Sequence, residues 1–410
     1  MQPRSKIVLL LSTFPRPSET FIVNKFLQLL ASGWDVHVVC SKYNHRDWSY
    51  FPQSTDHSAA LRRIHPIWPL SPRWLALSLI PAAVLSALVY RPRACLRYLL
   101  RGRVRFGWRV FWQLYQDYPL VLLEPDLLHI EFGAIAAQRT YLKELLDCKL
   151  IVSFRGYDLY CAELDNPNYY REVWESSDAL HFLGESLWRQ AQIRGCPQEK
   201  YHALIPPAID PDIFNPGMAS PPSLDSQVTR PLRILSVGRL EWKKGYEYSL
   251  QAIRLLVERG IACEYRIIGD GEFMEALSFA RRQLNLEEKV TFLGALDQIA
   301  VKEQMKWADV FLHGAVTEGF CNAVIEAQAM QLPVVCTDAG GLIENIVDGE
   351  TGFVVPRRDP LALADKMALL VDPSLRQQMG KAGRERVLNR FRIQEQISKF
   401  SDLYHQVLSQ

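Results

Sequence analysis

The stretch Thr317-Glu318-Gly319-Phe320-Cys321-Asn322-Ala323-Val324-Ile325-Glu326-Ala327 sets two carboxylates eight positions apart, around a glycine and an expected helix start. Gly319 lets a ligand come close to the backbone. The free N–H groups of a helix N-terminus carry partial positive charge, and together these features make a seat for a diphosphate. Glu326, about two turns into the helix, is placed to accept two hydrogen bonds from a ribose diol. Glu318, ahead of the helix, is placed to meet the hydroxyls of another part of the same ligand. Taken alone, the spacing also fits a Glu318 that complements the helix dipole and a solvated Glu326. A hydrolytic carboxylate pair is a further reading, but such carboxyls stand about 5–9.5 Å apart. Eight helical positions put the two backbones roughly 12 Å apart, which suits a grip on two ends of one long ligand.

A second group of residues is Gly238-Arg239-Leu240-Glu241-Trp242-Lys243-Lys244-Gly245, between an expected strand and helix. Arg239 offers a bidentate fork and Lys244 a point charge, the two kinds of cation that stabilise a departing diphosphate. The alternative is a pair of ordinary surface charges beside a loop. Gly269-Asp270-Gly271 and Gly294 end the next two strands and read as turn glycines, with Gly294 kept on the ligand side. Gly340-Gly341, with Glu344 beyond, is either another close backbone approach or a plain helix entry. In the N-terminal half, Arg155 lies within Ser153-Phe154-Arg155-Gly156-Tyr157-Asp158. Arginine can donate to a hydroxyl or phosphate but cannot act as a base near pH 7; the alternative is an Arg155–Asp158 pair. Asp210-Pro211-Asp212 imitates a D-x-D metal motif but sits among prolines and reads as turn chemistry, so no metal and no cofactor are expected.

These residues need a scaffold that ends strands in loops. The chain has 410 residues, 48% hydrophobic and 22% charged, with formal net charge +2. That length favours two domains, and the charge balance argues against nucleic acid as a partner. Eight scattered cysteines at no zinc spacing suit a reduced, cytoplasmic chain. Strands are expected at Ile7–Leu11, Trp34–Cys40, Asp126–Glu131, Leu150–Phe154, Ala179–Leu183 and His202–Ile205. A helix is expected from an N-cap at Ser18 to about Ser32. A second series of strands follows at Arg233–Val237, Glu264–Ile268, Val290–Leu293, Asp309–His313, Pro333–Thr337 and Gly352–Val355, alternating with helices. Strand–helix alternation in two series predicts an α/β chain of two doubly wound, Rossmann-like domains facing across a cleft. The expected boundaries are 1–214, a linker over 215–230 rich in Pro and Ser, 231–385, and a C-terminal helix over 386–410 packing back toward the N-terminal domain.

The motifs VGRLEWKKG, IIGDGE, VTFLG and TEGFCNAVIEAQAMQLPVVCTDAGGLIENIVDGETGFVVP run in order from about Arg233 to Pro356. Together they resemble the family 4 retaining glycosyltransferases of GT-B architecture. STFPRPSETFIVNKFLQLLASGWDVHVV, LLHIEFG and IPPAIDPDIFNP are similar to the N-terminal half of transferases that build exported polysaccharides. The resemblance implies a UDP- or GDP-sugar donor and a saccharide or lipid-linked acceptor. Arg239 and Lys244 would hold the donor diphosphate and Glu318 the transferred sugar. Gly238, Gly294, Gly319, Phe320, Cys321 and Asn322 would line the donor, and Glu326 would hold its ribose. Ser18, Glu131, Arg155 and Asp158 would face the acceptor. Two departures stand out: the loop Ser12–Thr20 has no glycine, and Arg155 stands where many relatives have histidine. A nucleotide-sugar epimerase on the same plan, or a non-catalytic membrane-associated binding protein, are the competing readings.

One region is left over. Between His57 and Gln116 there is no acidic residue but there are ten arginines, interleaved with aromatics. Trp74–Tyr90 is apolar but carries Pro81 and is short for a spanning helix. The expectation is an interfacial pair of basic helices over 57–116 that meets an anionic membrane surface at the inner face, the alternative being a solvated basic face.

Overall fold

The computed structural model describes residues 5–16, 19–51, 57–217 and 230–410. The expected N-cap at Ser18 and most of the expected linker lie outside the described residues. Among the described residues thirteen strands form two sheets, and every pairing is parallel. The strands are β1 (Lys6–Phe14), β2 (Asp35–Tyr43), β3 (Ile64–Pro66), β4 (Leu127–Ile130), β5 (Lys149–Phe154), β6 (Ala179–Phe182) and β7 (His202–Leu204). After them come β8 (Leu232–Val237), β9 (Cys263–Ile268), β10 (Val290–Gly294), β11 (Val310–His313), β12 (Val334–Thr337) and β13 (Gly352–Val355).

The first sheet has the order β3-β2-β1-β4-β5-β6-β7 and the second β10-β9-β8-β11-β12-β13. In each, the order reverses between two central strands: β1 and β4 in one, β8 and β11 in the other. At such a switch point the two loops leaving the strand ends diverge, and the opening between them is where α/β sheets hold ligands. The apolar strands explain the parallel pairing. Ile7–Leu11, Leu127–Ile130, Val310–Leu312 and Val334–Cys336 are almost wholly buried, as strands covered on both faces must be.

The chain separates into two compact units. The first comprises 1–182, 188–205 and 397–410; the second comprises 183–187 and 206–396. Twelve of the expected strands agree with the structure within a few residues. β1 runs on through Phe14, so its loop starts later than Ser12. β3 was not expected; three residues at a sheet edge leave too little alternation to read.

In the first unit a line of buried polar groups crosses the sheet. His129 Nδ1 lies 2.8 Å from the Tyr404 hydroxyl, and His129 Nε2 2.7 Å from Ser153 Oγ. Ser153 Oγ lies 2.7 Å from His181 Nδ1, and His181 Nε2 2.9 Å from the Ile205 carbonyl. A carbonyl only accepts, so His181 carries its proton on Nε2. The remaining protons follow: Ser153 donates to His181, His129 donates to Ser153, and Tyr404 donates to His129. Burial pushes both imidazoles well below their usual pKa, so each stays neutral and the chain keeps one direction. Tyr404 belongs to the C-terminal helix Ile393–Leu408, whose last part is thereby hydrogen-bonded to the first sheet.

A second buried knot fixes the helices that follow β3. Asp117 accepts from Tyr98 at 2.7 Å, from Tyr141 at 2.9 Å and from Arg139 at 2.9 Å. Burial raises the pKa of Asp117, and these donors offset that cost.

Ser153→Ala breaks the polar line at its centre and leaves two buried ring nitrogens unmatched. Denaturant unfolding should show a loss of about 1–3 kcal/mol, whereas an unchanged midpoint would mean that water replaces the hydroxyl.

Candidate functional site

In the second unit the loops leaving β8 and β11 meet at the switch point. The backbone N–H of Val316 donates to the Lys243 carbonyl at 2.8 Å, tying the two loops together. Gly245 has φ +60° and a side chain there would meet the Gly314 carbonyl at 2.0 Å, so only glycine allows this contact. Gly341 donates its N–H to the Glu318 carbonyl at 2.9 Å, and a Cβ at Gly341 would lie 1.9 Å from the Gly319 oxygen. Gly340-Gly341 is therefore a close backbone approach. It packs the loop, and the segment Gly340–Glu344 is a short 3-10 turn rather than a helix entry.

Lys244, from the first loop, pairs with Glu318 from the second. His313, the last residue of β11, places Nε2 3.4 Å from the same Glu318 oxygen. Ligand atoms of His313, Glu318 and Cys321 lie within 4.8 Å of one another. Burial alone would raise the Glu318 pKa, but Lys244 and His313 bring it down to about 2. Burial alone would lower His313, but the Cys321 sulfur and the Glu318 carboxylate hold it up at about 9. Near pH 7 this is a lysine ammonium and an imidazolium around one carboxylate.

Glu318, Gly319 and Phe320 precede the helix Asn322–Ala329, with Cys321 at its N-cap position. Asn345 fixes that entry: its Oδ1 accepts from the Cys321 N–H at 3.2 Å and its Nδ2 donates to the Cys321 carbonyl at 2.9 Å. Gln328 in turn donates to the Asn345 carbonyl at 2.9 Å. With the turn held on both sides, the first N–H groups of the helix keep one direction.

Glu326, two turns on, has no side-chain hydrogen bond or ion pair with any described residue, and burial pushes its pKa up to about 7. It is a carboxylate without a partner. Arg239 is half-exposed and pairs with Glu241 at 2.6 Å, as Lys243 does at 2.7 Å, so it does not point at Glu318 here. Gly238 lies beside Lys244, and Gly294 ends β10 with φ +71° and accepts from the Gly269 N–H at 2.9 Å. Glu344 accepts backbone N–H groups of Glu185 and Ser186, in the short segment 183–187 that groups with this unit. The turn reading of Asp210-Pro211-Asp212 agrees with the Asp212 N–H donating back to Asp210 Oδ1 at 2.9 Å.

As a cation seat, the His313–Glu318–Cys321 trio is poor. Lys244 already sits on the carboxylate, and a helix N-terminus repels a cation. The same features favour an anion.

In the first unit the acceptor-side candidates gather at the strand ends. Glu131, directly after β4, is fully buried between Lys25 and Arg155, with Arg155 at 2.9 Å. The expected alternative, Arg155 paired with Asp158, is not what forms. Asp158 instead accepts the backbone N–H groups of Arg155 at 2.8 Å and Ala134 at 2.9 Å, which spends its oxygens on loop geometry. Arg155 lies over the Phe21 ring at 4.7 Å, with its Nε buried and unpartnered.

Sequence reading missed Lys25, His313 and Asn345. Lys25 had a signal: it falls on the stripe Ile22, Phe26, Leu29, so a charge on an apolar helix face calls for a buried partner. His313 ends a strand at the switch point, a position that alone marks a ligand-side residue. Asn345 had none, because its value lies in a contact 24 positions away.

Two doubly wound units of this kind make up the GT-B fold of the solved structures that the chain resembles. Over nearly its whole length the chain superimposes on a sucrose-phosphate synthase from Thermosynechococcus elongatus (TM-score 0.73, 20% identity, 99% of this chain and 100% of that one). It also superimposes on Anabaena HepE in complex with UDP and glucose (TM-score 0.72, 14% identity, 98% and 100%). Residues 225–386 match the family described as glycosyl transferases group 1, and the chain carries a domain of that family. Among named relatives, the colanic acid biosynthesis protein WcaL of Escherichia coli is 28% identical over 389 residues, covering 88% of this chain and 90% of that protein. The amylovoran biosynthesis glycosyltransferase AmsK of Erwinia amylovora is 32% identical over 250 residues, covering 58% and 60%.

The pKa directions fix how stability depends on pH. Glu318, held low, stabilises fully above its usual 4.5 and loses that contribution as pH falls through about 2. His313, held high, stabilises fully below 6.5 and loses that contribution as pH rises through about 9. Glu326 has the opposite effect: its raised pKa costs stability as pH climbs from 4.5 through about 7. Glu326→Gln should therefore raise stability at neutral pH, and denaturant unfolding across this range should show the variant flatter than the parent. Glu318→Gln should instead cost about 3 kcal/mol by leaving Lys244 without its counter-charge, read by the same unfolding midpoint.

Proposed function

We propose that this chain is a retaining, metal-independent glycosyltransferase. It moves a sugar from a UDP- or GDP-sugar to a saccharide or lipid-linked acceptor in cell-surface polysaccharide biosynthesis. The observation that carries the reading is the pairing of an anion seat with an unsatisfied carboxylate: Lys244 and the helix start on one side, and Glu326, free of partners, two turns further on. A diphosphate on the first and a ribose diol on the second fit one nucleotide. The relatives named for polysaccharide biosynthesis, and the neighbour in complex with UDP and glucose, support this choice.

The electrostatics suggest the division of labour. As the sugar–phosphate bond breaks, negative charge grows on the leaving diphosphate, where the Lys244 ammonium and the helix N–H groups offset it. Arg239 joins them by exchanging Glu241 for the phosphate. Glu318, with a pKa near 2, is too weak a base to deprotonate an alcohol. It serves as a hydrogen-bond acceptor for the sugar hydroxyls. His313, held protonated, has no lone pair to offer as a base. The proton of the attacking hydroxyl then passes to an oxygen of the departing phosphate on the same face, and the configuration is retained. No step calls for a metal, because fixed cations already neutralise the diphosphate. On the acceptor side Arg155 and Ser18 would meet the saccharide, with Glu131 and Asp158 as positioning residues. Eight cysteines scattered along the chain suit the reducing cytoplasm.

A thermal-shift panel of UDP-, GDP- and ADP-sugars should give a rise in melting temperature for one base, removed by Glu326→Ala. Product analysis by NMR should then find the donor's anomeric configuration kept, and turnover should survive a chelator. An inverted anomer would refute retention, loss of turnover on chelation would refute metal independence, and an isomerised donor without acceptor would point to an epimerase. Donor affinity should weaken about fivefold between pH 7 and pH 6, as Glu326 takes up a proton. Titration calorimetry should find that dependence gone in Glu326→Gln.

A further inference from the structure

The helix Arg73–Tyr90 turns its small residues inward. Ala76, Ala83 and Ala87 are fully buried, while Trp74, Leu77, Leu85 and Val89 are 58% to 70% exposed. At 3.6 residues per turn these four fall within about 120° of arc, opposite the alanines. The next helix, Pro92–Phe106, repeats this with Leu96, Leu100 and Val104, the last 91% exposed. Trp108 follows at 74%. Large side chains gathered on one outward face mark a partner rather than a core.

The arginines divide into two sets. Arg91, Arg97, Arg101 and Arg105 pair with Glu124, Asp147 and Glu172 elsewhere in the unit. Arg73, Arg93, Arg103 and Arg109 have no carboxylate partner among the described residues, and Arg103 lies over the Trp108 ring at 4.8 Å. The first set attaches the helices to the unit; the second leaves an unbalanced positive charge around the apolar stripe.

We propose that this face docks on a bilayer surface of anionic lipid. The leucines, valines and Trp74 sink into the boundary between headgroups and acyl chains, and the unpaired arginines sit at the level of the phosphates. Charge complementarity selects this occupant. A second copy of the chain would set the same unpaired arginines against themselves across a two-fold contact. The helix Arg73–Tyr90 is long and apolar enough to cross a membrane. Its alanine side, however, packs on this unit's own helices, with Ser86 Oγ 2.6 Å from the Tyr118 hydroxyl and Tyr98 tied to Asp117. A helix held along one side lies on the bilayer.

The test is co-sedimentation of the full chain with vesicles of phosphatidylcholine alone or mixed with phosphatidylglycerol, at low and high salt. The chain should pellet with the anionic vesicles and be released by salt. Arg93→Ala and Arg103→Ala should each lower the partition coefficient about fivefold, the loss expected for one cation near the surface. Arg105→Ala, whose charge Glu172 already balances, should change it less than about twofold. Leu85→Asp with Val104→Asp should abolish binding while melting temperature and circular dichroism stay those of the parent. Recovery of the parent chain in the supernatant with anionic vesicles would overturn the proposal. So would equal binding to neutral vesicles that ignores the arginine substitutions. A dimer in light scattering that Leu85→Asp disperses, without vesicle binding, would assign the face to a second copy instead.

Discussion

The Lys244–Glu318 pair governs the second unit. Two opposite charges are held at the mouth of a helix, in a place where removing either leaves the other poorly solvated. The surrounding structure serves to keep them there. Gly245 and Gly341 remove side chains that would hold the loops apart, the Val316–Lys243 backbone contact joins those loops, and Asn345 fixes the turn between Glu318 and the helix. A pair of this kind adds little to stability by itself. Its value lies in a cation of fixed position and a carboxylate that stays ionised across the physiological range.

The first unit uses the same physics for a different end. Glu131 sits between Lys25 and Arg155 at the end of a central strand, again at the switch point of a parallel sheet. There the excess is cationic, two positive groups to one carboxylate, with Asp158 occupied by backbone N–H groups. Behind it the Tyr404–His129–Ser153–His181 line is satisfied throughout with neutral groups. The contrast is chemical. Groups with complete partners make the scaffold, while Glu326 and the Arg155 Nε are left short of partners.

The helices after β3 follow another rule. Their inner side is built from alanines and the Tyr98–Asp117–Tyr141 knot, which allow close approach, and their outer side carries the bulk. Of the arginines that make this region distinctive in sequence, about half are balanced by carboxylates far away in the chain. What reads as one basic segment is two surfaces, one facing the protein and one facing outward.

By itself the sequence determined the repeating strand–helix units, their parallel pairing and the two glycine-bearing loops. These follow from short-range rules: apolar runs of strand length, helices of 3.6 period, and glycines at strand ends. It also placed Glu318 and Glu326 on either side of a helix entry, because eight residues of local structure suffice for that. Only the tertiary structure decided which charges are spent. It turned Arg155 to Glu131 rather than Asp158, Arg239 to Glu241, and Lys244 to Glu318, and it left Glu326 alone. It brought in Lys25, His313 and Asn345, whose partners lie 106, 5 and 24 positions away. The reason is physical. A side chain's backbone conformation is set by its neighbours in the chain, but its charge state and hydrogen bonds are set by whatever the fold places within a few ångströms.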